Sequence, residues 1–107
     1  MSCFINIEDL ELRSMVPGGN ARMVHSEHMT LVHWYFEKDA LLPEHSHPHE
    51  QISVLIRGRF EMIVGGESCI MEPGTTIVIP PHVLHSGAAL EESYHIDVFY
   101  PTREEYR

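Results

Sequence analysis

Prolines and glycines punctuate this chain at short intervals, and that spacing leaves little room for any long regular element. They stand at Pro17-Gly18-Gly19, Pro43, Pro48, Gly58, Gly65-Gly66, Pro73-Gly74, Pro80-Pro81, Gly87 and Pro101. Between them lie short runs rich in Val, Ile, Thr, Phe and Tyr, the composition of strands. Strands are expected at about 21–26, 29–36, 51–56, 59–64, 67–72, 76–79 and 94–100. Gly65-Gly66 after Phe60-Glu61-Met62-Ile63-Val64 reads as a tight hairpin, because paired glycines accept the positive φ angles of a primed turn. No window carries an apolar period near 3.6 residues, so helix is confined to single turns near 7–12 and 102–106. Many short strands with regular turns predict an all-β antiparallel sandwich or barrel. The 107 residues allow one domain, 1–107, and 43% hydrophobic residues supply a modest core.

Charge narrows the possible partners. Seven Lys+Arg against sixteen Asp+Glu leave a net charge of −9, without the cationic footprint that nucleic acid or anionic lipid requires. The N-terminus shows no basic segment followed by an apolar stretch, and no apolar run approaches the roughly 20 residues of a membrane span. Cys3 and Cys69 have neither metal-type spacing nor the number for a disulfide scaffold. A reduced, cytoplasmic protein is expected, with Cys69 filling core space.

Against this acidic background stand nine histidines, more than all lysines and arginines together, five of them within 45–49 and 82–85. His45 and His47 are two apart, so on an extended chain both rings share a face, with Cα atoms about 6.5–7 Å apart. Gln51 continues the same odd-numbered face, and His85 comes from a later strand. Two or more imidazoles at such spacing can converge on one metal ion, or can simply lie solvated beside the turns.

The wording around these histidines resembles the cupin superfamily. His45-x-His47-x3-Gln51-x6-Gly58 matches its first motif, with Gln for Glu and Asp39 at the opening glycine. Gly74-x5-Pro80-x-His82-x2-His85 matches its second, with His82 for a glycine and Ala89 for the closing Asn. The resemblance implies a jelly-roll barrel with His45, His47, Gln51 and His85 around one divalent transition metal. Ni, Zn, Mn and Fe all suit such donors. His49 and His82 are expected at the rim. His25, His28, His33 and His95 read as ordinary half-exposed side chains; His33, with Tyr35, has the best claim to substrate contact, since strand 29–36 should line the barrel wall. Three imidazoles and an amide leave the ion's charge uncompensated, which favours an anionic oxygen ligand.

Parity also organises the last strand. Asp97 and Phe99 share one face, opposite Ile96, Val98 and Tyr100, and Arg103 follows Pro101. An inward Asp is costly unless paired or functional, so Asp97 is either an ion-pair partner or a working group. With Gln51 inward, Ile52, Val54 and Ile56 face outward beside the Ile96 stripe, which calls for cover by another layer or a second subunit. A homodimer is expected.

A narrower resemblance, to small single-domain cupins of the KdgF type, rests on the His45/His47/Gln51/His85 set, the run 79–87 and the ending 97–106. That family opens the ring of 4,5-unsaturated uronate monosaccharides to linear 4-deoxy-5-keto-uronates. The resemblance implies Asp97 and Arg103 as catalytic residues and Phe99 and Arg103 against an anionic sugar substrate. A different cupin enzyme, such as a dioxygenase or sugar isomerase, and a non-catalytic sugar-binding cupin remain alternatives.

Overall fold

The computed structural model describes residues 2–107. Ten strands run in chain order: β1 (Arg13–Val16), β2 (Gly19–His25), β3 (Thr30–Phe36), β4 (Leu41–His45), β5 (Glu50–Arg57), β6 (Phe60–Val64), β7 (Glu67–Met71), β8 (Thr76–Ile79), β9 (His85–Ala89) and β10 (Ser93–Tyr100). Short 3-10 turns at Ile7–Asp9 and Glu104–Tyr106 complete the described residues. One sheet has the order β1-β2-β3-β10-β5-β8 and the other β4-β9-β6-β7, with every pairing antiparallel. This is the expected all-β cupin sandwich. No helix is long and apolar enough to cross a membrane.

Alternation decides what enters the interior. β3 buries Thr30, Val32, Trp34 and Phe36 and turns Leu31, His33 and Tyr35 outward. β10 buries Ser93, His95, Asp97 and Phe99. The core joins Trp34 and Phe36 to Leu55, Phe60, Met62 and Met71, and Cys69 packs against it. The register sets Asp97 opposite Ser53 and Phe99 opposite Gln51, so the inward polar residues of β5 and β10 are neighbours.

Three strands were absent from the sequence expectation, each for a physical reason. β4 contains Pro43, which cannot donate to a ladder; it survives as an edge strand with an irregular register between Leu42 and His45. β9, His-Ser-Gly-Ala-Ala, has little intrinsic strand preference, yet lies between β4 and β6. Its Gly87 is needed because a Cβ there would sit 2.2 Å from the Phe60 ring. β1 has only four residues and reaches its partner through the Pro17-Gly18 turn. The expected hairpin is present, with φ of 56° and 84° at Gly65 and Gly66.

His95, expected half-exposed, is instead 2% exposed, with its ring edge-on to Phe36 and Phe60. Burial lowers its pKa from 6.5 to about 4, so the folded protein holds it neutral. Below pH 6.5 the unfolded chain takes up a proton that the folded one refuses, and stability falls with pH down to about 4. The loss at pH 4 is about 3 kcal/mol. Replacing His95 by Leu should remove that share: between pH 7 and 4, wild type should lose about 3 kcal/mol more than the variant in denaturant unfolding. Equal losses would show that His95 does not carry this acid sensitivity.

Candidate functional site

His45 ends β4, His47 sits in the following loop, Gln51 starts the inner face of β5, and His85 opens β9 directly opposite His45. Ring centroids lie 4.2 Å apart for His45–His85, 5.0 Å for His47–His85 and 5.7 Å for His45–His47. One nitrogen from each falls within 4.8 Å of the others.

The backbone dictates which nitrogen that is. Nδ1 of His45 donates to the Pro43 carbonyl (2.8 Å), Nδ1 of His47 to His49 (3.0 Å) and Nδ1 of His85 to Val83 (2.9 Å). A carbonyl can only accept, so each Nδ1 carries the proton and each neutral ring keeps its lone pair on Nε2. Burial first, opposed by that backbone bond, lowers the pKa of His85; burial and the Arg103 charge take His47 down to about 4. Both shifts favour the neutral ring, the form in which an imidazole binds a metal.

Two observations test the fit to a metal ion. His85 Nε2 is buried without a hydrogen-bond partner. His47 Nε2 lies 3.1 Å from Gln51 Oε1, while the amide nitrogen of Gln51 donates to Asp97 Oδ2 at 3.0 Å. That sets two lone pairs against each other, an arrangement a cation between the donors would turn from repulsive to attractive. The donor set fits a divalent metal ion held by imidazoles with outer partners already in place.

A cavity of about 250 Å³ opens beside the cluster. His45, His85, Gln51, Asp97, Phe99 and Arg103 form its reactive wall, faced by Trp34, Met15, Leu42 and Tyr106. Asp97 is 6% exposed and its Oδ1 has no partner. Burial pushes its pKa up to about 7, with the Gln51 amide and the Arg103 charge opposing the rise. The Arg103 guanidinium sits in the corner formed by two edge-to-face rings, 4.8 Å from the centroid of Phe99 and 4.3 Å from that of Tyr106, with Glu105 at its Nε. The cavity thus offers a buried carboxyl, a cation and an aromatic wall beside three convergent imidazoles.

Not every expected residue reaches it. His33 and Tyr35 lie on the opposite side of β3, where His33 pairs with the Tyr94 hydroxyl at 2.7 Å and Tyr35 stacks on Tyr94. The β3 register against β10 turns Trp34, beside His95, inward instead. The signal was present: Val32, Trp34 and Phe36 form the more apolar of the two alternating sets. His49 is buried against His47 rather than at the rim, and its carbonyl fixes the His47 tautomer. His82 is exposed, and its N–H donates to the His47 carbonyl at 2.8 Å. Met15 and Tyr106 arrive from segments that fold back over the opening, which no spacing reveals.

Asp39 and His82 occupy the motif positions where glycine is usual. Among the described residues they alone combine a side chain with positive φ, 71° and 67°. The turns keep the glycine-type backbone, and Asp and His tolerate it better than most residues.

This fold and convergent cluster define a cupin: the cupin domain model matches residues 32–96, and the chain belongs to that family. The pectin degradation protein KdgF of Dickeya dadantii is 32% identical over 83 residues, 76% of each chain. The structure of KdgF from a Halomonas species superimposes with a TM-score of 0.93 at 29% identity over all of both chains. An RmlC-like cupin from Shewanella frigidimarina gives 0.94 at 28% identity, covering 100% of this chain and 97% of that one. Within the family, this is a KdgF-type cupin.

Equilibrium dialysis against Ni²⁺ or Zn²⁺ should load about one ion per chain. His85→Ala should weaken binding by at least about 10–100-fold, the range that loss of an outer partner alone already costs. Equal uptake by wild type and variant would exclude His85 as a ligand.

Proposed function

We propose that this protein opens the ring of 4,5-unsaturated uronate monosaccharides, such as those from pectin or alginate, to linear 4-deoxy-5-keto-uronates. The observation that carries the reading is Asp97 with an unpartnered Oδ1, buried beside Arg103 and the three imidazoles in a KdgF-type cupin. His45, His47, His85 and the Gln51 amide oxygen would hold a divalent metal. Bound there, it would supply positive charge for the substrate carboxylate and for negative charge developing on oxygen.

The chain's own groups perform the proton work. As a carboxylate, Asp97 takes the proton of the C1 hydroxyl while the C1–O5 bond breaks and its electron pair moves to O5. C1 becomes an aldehyde. Return of the proton to C4 then converts the C5 enolate into a ketone, so the product is an isomer of the substrate. Arg103 clamps the carboxylate through two N–H donors, its guanidinium resting against Phe99 and Tyr106. Phe99 also packs against the sugar, and the apolar wall of Trp34 and Leu42 limits water.

Lyase-generated unsaturated uronate should lose its ultraviolet absorbance when the metal-loaded protein is added. Asp97→Asn should slow that loss by about 10²-fold or more, the usual weight of a general acid–base group, with metal content unchanged. Unchanged turnover in the variant would refute the role of Asp97. Uronate binding without consumption by wild type would instead identify a binding protein.

We further infer that the protein works as a homodimer built on the outer face of the six-stranded sheet. Ile52, Val78 and Tyr100 are 48%, 65% and 54% exposed there. Of the acidic residues, only Glu50 faces outward from a strand of this sheet. Arg22 and Arg57 on the same face have no carboxylate partner among the described residues and cover Tyr35 and Tyr94. For a chain of charge −9, this is the face on which a second copy meets least repulsion. Sedimentation should give a dimer at micromolar concentration and a monomer for Ile52→Glu/Val78→Glu; a monomeric wild type would contradict the inference.

A further inference from the structure

We propose that His25, outside the cavity, is a positioning residue that sets the Arg103 guanidinium. The inference rests on the reading of Arg103 as the carboxylate clamp. After β10 the chain turns back at Pro101 and crosses the open end of the sandwich, burying Thr102 and Arg103. The Arg103 N–H donates to Thr30 Oγ1 at 2.9 Å. Thr30 Oγ1 is also 2.9 Å from Nδ1 of His25, and Nε2 of His25 is 3.3 Å from the Tyr106 carbonyl.

The direction of this chain follows from its ends. The Tyr106 carbonyl can only accept, so Nε2 carries a proton. Thr30 Oγ1 already accepts from Arg103, and its own hydrogen is free to meet the lone pair on Nδ1 in the His25 tautomer that carries its proton on Nε2. One imidazole therefore ties both ends of the segment from Arg103 to Tyr106 to the β2–β3 hairpin. Between those ends the guanidinium rests against both the Phe99 and the Tyr106 ring, which meet edge to face. Arg13 also donates to the Tyr106 carbonyl, so removing His25 should loosen this segment rather than free it. A displaced Tyr106 ring would leave the guanidinium with one wall and a wider range of orientations. Weaker carboxylate binding should follow, with proton transfer at Asp97 largely retained, because positioning losses fall on what the group holds.

The test is calorimetric binding of galacturonate, a saturated uronate, to the metal-loaded protein, together with KM and kcat on unsaturated uronate. Arg103→Ala is the benchmark. His25→Ala should weaken galacturonate binding about tenfold and raise KM by a similar factor, with kcat within about threefold of wild type. His25→Gln keeps one acceptor and one donor and should bind nearly as wild type does. Thr30→Val, which cuts the middle of the relay without changing its volume much, should copy His25→Ala even if the latter folds poorly. Normal binding by His25→Ala or Thr30→Val beside a weakened Arg103→Ala would overturn the inference alone. Failure of His25→Gln to restore binding would also overturn it. Normal binding by Arg103→Ala would overturn the clamp reading itself, and the inference with it.

Discussion

Three short hydrogen bonds, each from a histidine Nδ1 to a nearby backbone carbonyl, are the constraint on which the site depends. They join His45 to Pro43, His47 to His49 and His85 to Val83. Each partner lies two residues away, so the tautomer of every ring is written into its own stretch of chain. The Nε2 lone pairs meet in one place because β4 and β9 pair His45 directly with His85. Without those bonds, neutral imidazoles could present either nitrogen and the cluster would lose its common focus.

Charge is the second constraint on the site. Gln51 sits where a cupin motif has Glu, and its amide joins the imidazole cluster to Asp97 in one chain. A carboxylate in its place would face Asp97 across a buried contact, and like charges there would drive one of them neutral. With the amide, Asp97 is the one carboxyl group lining the cavity among the described residues. Arg103 is the cation lining the cavity, placed by the Phe99 and Tyr106 rings and by its ion pair with Glu105. On the proposed function, an acidic protein would receive an anionic sugar by concentrating positive charge at one point.

Much of this was legible in the sequence because strands alternate. Parity grouped Asp97 with Phe99 on one face, which the structure turns inward beside Gln51, and motif spacing brought His45, His47 and His85 together. For residues 29–36 the expectation took the strand as barrel wall without using parity, and His33 and Tyr35 fall on its outer face. β4 and β9 were hidden because Pro43 and Gly87 read as breaks, although one tolerates an edge and the other makes room for Phe60. The backbone of Asp39 and His82 was illegible for a related reason: the positive φ of a turn can persist after glycine is replaced. Tyr106 and His25 belong to a closure formed by tertiary contacts, and no local pattern announces it.

The central claim is that three histidines and Gln51 form a neutral donor set whose bound metal recruits a uronate carboxylate. X-ray absorption at the metal edge of the nickel-loaded protein, recorded without and with galacturonate, tests it most directly. The account predicts imidazole scattering from three histidines with oxygen completing the shell, and a change in the oxygen donors when galacturonate is added. Fewer than three imidazoles, or a spectrum indifferent to the uronate, would contradict it.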